Sequence, residues 1–297
     1  MNNLKLLLGP MRVPFLILTP ACVVLGLGTA VWSSGSVNPV HVVVALIGAI
    51  AAHISVNSFN EYFDFKSGLD FKTQRTPFSG GSGTLPQNPG LARQALATAV
   101  VSVVVVCLVG VYFLAVRGLS LLPLGIAGVL VVILYTPWLA HNAFACLVAP
   151  GLGFGTLMVV GTHFALTGEY SRTAFIASFV PFFLVSDLLL LNQFPDVDAD
   201  RSVGRKNYPV VIGRRASSVI YGAFLLLAFL SIVLGVALGV LPRASLLGLL
   251  ALAGAVPAAV GAYRHADDMK RLAPIMGLNV LLNILTPILV AVGLFVG

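Results

Sequence analysis

Nine apolar stretches of roughly 20 residues divide this 297-residue chain, and a helix needs about that length to cross a bilayer. Only 9% of the residues are charged, whereas a soluble domain carries about 25%. Lipid must therefore be the main solvent. We predict an all-α membrane protein, a bundle of nine transmembrane helices forming a single domain over residues 1–297. The stretches run roughly over 13–34, 40–63, 93–116, 118–136, 143–166, 173–193, 216–239, 245–263 and 274–296.

The basic residues predict how these spans are oriented. If the N-terminus is cytoplasmic, the 17 Lys and Arg residues, beginning with Lys5 and Arg12, fall on the cytoplasmic side except for Arg117, Arg172 and Arg243. This asymmetry is the positive-inside pattern of membrane proteins. The net charge of +7 therefore reflects topology, and we expect no nucleic-acid partner. We predict a multi-pass protein of the cytoplasmic membrane, with the lipid bilayer as its partner.

Two loops are long, at residues 64–92 and 194–215, and both are predicted to be cytoplasmic. Long loops in a compact domain are usually functional. Asn60 and Asp64 end the second span, and the same spacing recurs as Asn192 and Asp196 at the end of the sixth. This repeat predicts two similar four-helix halves plus a ninth helix, with both long loops lying over one active site.

The acidic residues are concentrated in two segments, NSFNEYFDFKSGLD at 57–70 and NQFPDVDADR at 192–201. Crowded carboxylates repel one another unless a cation lies among them. Helical residues four apart share a face, which would align the Asn and Asp side chains within each segment. Oxygen ligands without His or Cys favour magnesium over zinc or iron. We therefore predict a Mg²⁺ site built from Asn60, Asp64, Asn192, Asp196 and Asp200.

Basic residues follow each acidic segment. Carboxylates that hold a metal ion, with Arg or Lys side chains beside them, can bind a diphosphate and neutralise its charge as it leaves. Arg12 either approaches the site from the first helix or, as we favour, is a positive-inside anchor, and Lys66 serves either topology or the diphosphate. Arg75 lies beyond the first segment, and Arg201, Arg205 and Lys206 follow the second. The predicted diphosphate-binding residues are Arg75, Arg201, Lys206 and Lys66.

Two further residues are candidates for the site. Asn57 precedes Asn60 by three positions and could share its helix face. Asp187 lies inside the sixth span, where an ionisable residue either packs against a polar neighbour or contributes to function.

The two acidic segments resemble the paired Asp-rich signatures of the UbiA superfamily of intramembrane prenyltransferases. Within it, the pattern N-x-x-N-[DE]-Y-x-D-x-x-x-G-x-D is similar to the branch that prenylates 1,4-dihydroxy-2-naphthoate on the way to menaquinone. The stretch G-T-x-x-x-x-T-G-E at Gly161–Glu169 and the later D-x-D-x-D-R-x-x-G-R-K are also similar to that branch. The resemblance extends over roughly residues 10–295.

This resemblance implies ionisation of a polyprenyl diphosphate and capture of the allylic cation by an aromatic quinone precursor, with loss of carbon dioxide when that precursor is a naphthoate. Mg²⁺ is the implied cofactor. Glu61 and Asp70 would complete the first metal site or accept the ring proton, and they are the predicted catalytic residues. Prenyl chain length depends on the depth of a groove that the sequence does not reveal.

Two departures from the branch bear on the acceptor. Glu61 stands where the branch usually has Asp, and the sequence from Lys206 to Pro209 stands where Arg-Thr-Leu is common. The alternatives are therefore a prenyltransferase for another acceptor (a 4-hydroxybenzoate, homogentisate, haem or a lipid glycerol ether) or a membrane terpene cyclase. An ion-coupled transporter is the rival from another class. It would place its acids near the membrane midplane, whereas the clustered acids here lie at span ends and only Asp187 is deeper.

Overall fold

The computed structural model describes residue 6 and residues 8–297, so Lys5 lies outside the described residues. Within that part of the chain every regular element is helical. We number the principal helices α1 to α9. Their bounds are α1 Leu18–Ser34, α2 Pro39–Ser67, α3 Ala92–Arg117, α4 Leu122–Leu134, α5 Ala143–Thr167, α6 Arg172–Asn192, α7 Arg214–Ala237, α8 Leu252–Arg264 and α9 Met269–Val296.

Eight helical segments of the described chain are long and apolar enough to cross a membrane. They correspond to eight of the nine predicted stretches, and several continue a few residues further than predicted. The predicted fourth span corresponds to the shorter apolar segment Leu119–Leu134. A multi-helix membrane fold is therefore confirmed, while the count of nine crossings stays a prediction.

Local sequence signals set the limits of α2, the helix that carries the first acidic segment. Asn38 caps its start by accepting a hydrogen bond from the Val40 backbone N–H at 2.9 Å, and Pro39 occupies the first helical position. Gly68 ends it in the left-handed conformation, with φ of 77°. Because α2 continues to Ser67, Asp64 lies on the helix itself and not in the loop after it.

The main hydrophobic core lies among α1, α6, α7, α8 and α9, around fully buried side chains such as Leu184, Tyr221 and Met276. Helix α6 is the central element: 67% of the residues in its most apolar part are buried, against 17% in the most apolar part of the segment that contains α3. A small second cluster, which includes Phe113 and Phe164, joins α2 to α5. This looser half of the bundle leaves room for a cavity.

Helices α5 and α6 approach each other closely because glycines line the contact. A Cβ added at Gly151 would lie 2.1 Å from the Phe182 carbonyl oxygen, and one at Gly155 would lie 2.4 Å from the Phe182 nitrogen. Residues Leu152–Leu157 of α5 form a π-helical turn at this contact, an irregularity often found near functional sites. The contact fixes α6, and therefore Asn192 at its end, against the wall of the cavity.

Candidate active site

The first acidic segment presents its polar side chains from the last turns of α2. The Glu61 carboxylate is fully buried and accepts a hydrogen bond from Arg12 Nε at 2.8 Å. It also accepts hydrogen bonds from the backbone N–H and the hydroxyl of Ser82, each at 2.7 Å. Arg12 Nη2 donates to Asn60 Oδ1 at 2.9 Å. Arg12 therefore joins the site directly, beyond the anchoring role that the sequence indicated.

The second acidic segment is not one continuous helix, so the expectation of a shared helix face from Asn192 to Asp200 was wrong. Helix α6 ends at Asn192, a turn follows, and a short helix spans Val197–Ser202. Pro195 lies in that turn and has no N–H with which to continue the helix. The turn nevertheless brings Asn192, Asp196 and Asp200 to the wall of one polar cavity of about 110 Å³, opposite Asn60 and Asp64.

Arg205 connects the two segments. Its guanidinium forms an ion pair with Asp64 and a second, at 3.3 Å, with Asp200. Asn207 Nδ2 donates to the other Asp200 oxygen at 2.6 Å. The contacts are charge-assisted and largely buried, which makes them stronger and more directional than surface pairs. The sequence placed Arg205 among the trailing cations without assigning it a role, and the structure shows that it reaches both carboxylates.

Burial changes the acidity of the carboxyl groups in the two loops. Burial, together with the nearby carboxylates of Glu61 and Asp64, raises the pKa of Asp70 to about 7. Burial also raises the pKa of Asp196 to about 7, with Asp200 adding to the effect and Arg12 opposing it. Near neutral pH both groups are therefore poised between their protonated and ionised forms.

The donor set fits a hard divalent cation. Asn192 Oδ1, Asp196 Oδ1 and Asp70 Oδ2 are buried at the polar cavity without a hydrogen-bond partner in the described part of the chain. No three His, Cys, Asp or Glu side chains among the described residues cluster tightly enough to enclose a metal ion by themselves. An ion here would thus depend on amide oxygens, water and substrate phosphates, which is how proteins commonly hold Mg²⁺.

A larger apolar cavity of about 650 Å³ adjoins the polar one. It lies among α1 to α6, with a contribution from α9, and its walls are mostly Val, Leu, Ala and Gly side chains. Asn60 and Asn192 line both cavities, as do Arg12, Phe78 and Tyr135. A molecule with a charged head and a long apolar tail could therefore span the two cavities.

The remaining predicted residues lie outside the polar cavity. Asn57 lines the apolar cavity and donates to the Met11 carbonyl at 3.0 Å. Asp187 is fully buried in α6, and neither carboxylate oxygen has a partner among the described residues.

The four predicted diphosphate-binding cations are exposed at the surface. Lys66 lies over the Tyr62 ring, and Arg75 packs on Gly83. Arg201 pairs with Asp198 at 3.6 Å, and Lys206 follows Arg205 in the second loop.

The profile of the UbiA prenyltransferase family matches residues 19–281, so this chain belongs to that family. It is 28% identical over 192 residues to the 1,4-dihydroxy-2-naphthoate octaprenyltransferase of Bacillus subtilis, covering 63% of this chain and 60% of that protein. It is also 28% identical over 216 residues to UbiA prenyltransferase domain-containing protein 1 of Gallus gallus, covering 72% and 63%. The matched regions thus span less than two thirds of these relatives.

Solved structures show the same fold. A UbiA homolog from Aeropyrum pernix K1 superposes with a TM-score of 0.72 at 16% identity, covering 95% of this chain and 97% of that one. A UbiA homolog from Archaeoglobus fulgidus bound to GPP and Mg²⁺ superposes with a TM-score of 0.62 at 13% identity, covering 97% and 99%. Together with the family match, these apolar helices define a multi-pass membrane protein.

Proposed function

We propose that this protein transfers a polyprenyl group from its diphosphate to an aromatic acceptor in a Mg²⁺-dependent reaction. The observation that supports this proposal is the junction between the polar and the apolar cavity. Acidic side chains and the partly buried Arg12 and Arg205 surround the polar cavity, and the apolar cavity begins at Asn60 and Asn192. A prenyl diphosphate has the matching shape and chemistry, with its reacting carbon at the junction.

In this proposal the residues have distinct roles. Magnesium would neutralise charge on the diphosphate when bound, and the residues that would hold it are Asn60, Asp64, Asn192, Asp196 and Asp200. Arg12 and Arg205 would contact the leaving diphosphate because their guanidinium groups lie in the polar cavity. The exposed residues Lys66, Arg75, Arg201 and Lys206 would attract the anionic substrate from the cytoplasm.

The reaction breaks the bond between the allylic carbon and the diphosphate oxygen, and the electron pair leaves with the diphosphate. An electron-rich ring carbon then bonds to the allylic carbon, and the acceptor must lose a proton or carbon dioxide. Asp70 suits the role of base, since its Oδ2 is buried without a partner among the described residues and its pKa is raised to about 7 by burial. Glu61, the other predicted catalytic residue, already accepts three hydrogen bonds.

We propose 1,4-dihydroxy-2-naphthoate as the acceptor, with decarboxylation, in menaquinone biosynthesis. The Bacillus subtilis relative that acts on this naphthoate supports the assignment, as do the two motifs similar to the naphthoate branch. We further propose that the nine helices cross the cytoplasmic membrane with the N-terminus and both acidic segments on the cytoplasmic side, where a polar diphosphate would be available.

The proposal is tested with purified protein, Mg²⁺ and geranylgeranyl diphosphate, with and without dihydroxynaphthoate. We expect prenylated naphthoquinol only when the acceptor is present, and no turnover by Asp64→Ala or Asp196→Ala protein that still inserts into membranes. Diphosphate release with a cyclised hydrocarbon and no acceptor product would identify a terpene cyclase. Near-normal turnover by either Asp variant would contradict the proposed site.

A further inference from the structure

The Glu61 carboxylate is engaged mainly with protein groups. It is fully buried, and its three hydrogen bonds come from Arg12 and from the backbone and side chain of Ser82. A carboxylate offers about four acceptor positions, so most of its capacity is already used. Its neighbours on α2, Asn60 and Asp64, line the polar cavity, whereas Glu61 does not.

These contacts join three parts of the chain that are distant in sequence. Glu61 belongs to α2, Arg12 to the segment before α1, and Ser82 to the first long loop. Arg12 has φ of 50° and is the non-glycine residue with positive φ in the described part of the chain. Such a backbone conformation persists only when its surroundings hold it in place. The ion pair with Glu61 and the hydrogen bond to Asn60 supply that restraint.

The loop that contains Ser82 contributes to the wall of the polar cavity. We call residues 79–84 the roof loop. Ser79, Gly80 and Gly81 line the polar cavity, whereas Ser82 is exposed, so the loop has one side toward the cavity and the other toward solvent. A Cβ added at Gly81 would lie 3.1 Å from Asp70 Oδ1 and 3.2 Å from Glu61 Oε1, so the loop backbone rests directly on the carboxylates. Gly80 and Asp196 of the second acidic segment line the same polar cavity.

We propose that Glu61 is a positioning residue that fastens the roof loop and thereby keeps water away from the reacting prenyl carbon. This inference rests on the proposed function. If water enters, the allylic carbon–oxygen bond breaks and the diphosphate leaves with the electron pair. The water oxygen then bonds to that carbon and loses a proton, which gives a prenyl alcohol in place of the transfer product. A fastened roof loop limits this hydrolysis.

Loosening of the roof loop is measured first, without any chemistry, as the rate of trypsin cleavage after the exposed residues Lys72 and Arg75. We expect trypsin to cut Glu61→Gln and Ser82→Ala about tenfold faster than the wild type. Each variant loses one charge-assisted hydrogen bond, and this loss makes the open form of the loop about tenfold more populated. Ser82→Ala preserves the Arg12–Glu61 ion pair, so it separates the roof contact from a folding defect. Glu169→Gln, at the only other glutamate and an exposed one, should be cut like the wild type.

Product partition is measured next, as the ratio of geranylgeraniol to prenylated naphthoquinol. We expect the alcohol share to rise severalfold in Glu61→Gln and Ser82→Ala and to stay unchanged in Glu169→Gln. Unchanged cleavage in both roof variants, or faster cleavage with an unchanged alcohol share, would overturn the inference. A wild-type protein that forms neither product would instead reject the proposed function, and the cleavage rates would still decide whether Glu61 fastens the loop.

Discussion

Arg205 and Asp64 form a largely buried ion pair although 141 residues separate them in sequence. Asp64 comes from the first acidic segment, and Arg205 follows the second. The pair therefore brings the two acidic segments together at one site. Arg205 also reaches Asp200, so one guanidinium group contacts two of the three carboxylates that would hold the metal.

We predict that Arg205→Gln lowers kcat by about 100-fold or more, the usual cost of removing a preorganised donor to developing charge. Arg205→Lys should recover part of the loss, because lysine keeps the charge but cannot contact two partners with a planar fork. Steady-state kinetics with varied prenyl diphosphate gives the comparison. A kcat for Arg205→Gln within a few-fold of wild type would remove Arg205 from the site.

The exposed cations should behave differently. Arg201 is 61% exposed and pairs only with Asp198 among the described residues. We expect Arg201→Gln and Lys206→Gln to raise KM for the prenyl diphosphate a few-fold with little change in kcat. The effect should shrink at high salt, because long-range attraction is screened. A loss of kcat that persists at high salt would instead place these residues in direct contact with the substrate.

Activity should fall as the pH drops below about 7. Burial raises the pKa of Asp70 and of Asp196 to about 7. Because each pKa is raised, each group keeps its proton up to that pH, and the protonated form neither binds a cation nor accepts a proton. A higher Mg²⁺ concentration should move the acidic limb of the pH–activity profile to lower pH, since the metal ion and the proton compete for the same carboxylate oxygens. A flat profile of kcat/KM down to pH 5.5, or one insensitive to Mg²⁺, would contradict these roles.

The apolar cavity should limit prenyl chain length. Gly128 lines this cavity, and a Cβ added there would meet no atom within 4 Å, so a larger side chain could extend into the open space. We predict that Gly128→Leu shortens the longest prenyl diphosphate accepted while turnover of the shortest substrates stays near wild type. Competition assays with substrates of different lengths measure this preference.

Gly222 on α7 provides the matched control. It too has open space around an added Cβ, but it is not among the residues that line the cavity. Gly222→Leu should therefore leave chain-length preference unchanged. Equal effects of the two substitutions would indicate a general disturbance of the bundle and not a shorter cavity.

Much of this architecture follows from local properties of the sequence. Spans are predictable because each apolar stretch must satisfy its own backbone within lipid, and the paired acidic segments are visible because acids are rare elsewhere in the chain. The break at Pro195 could also have been anticipated, since proline ends helices. The rule that residues four apart share a face holds only within an uninterrupted helix, so it does not extend across Pro195.

Other features depend on contacts between distant segments. The sequence near Arg12 does not determine its contacts with Asn60 and Glu61, because these contacts form only when the segment before α1 packs beside the end of α2. Likewise, the choice of Arg205 over Arg201 as the buried cation depends on the turn after the short helix Val197–Ser202. The apolar cavity is a property of the assembled helices and is not encoded in any one of them.

The central claim is that the two acidic segments act together to bind a magnesium–diphosphate unit. The most direct test is the affinity for geranylgeranyl thiolodiphosphate, a substrate analogue that resists cleavage, measured by isothermal titration calorimetry with and without Mg²⁺. The account predicts tight binding by the wild type only with Mg²⁺, and loss of that Mg²⁺-dependent gain in both Asp64→Asn and Asp196→Asn. Binding that is equally tight in EDTA, or a full Mg²⁺-dependent gain in either variant, would contradict it.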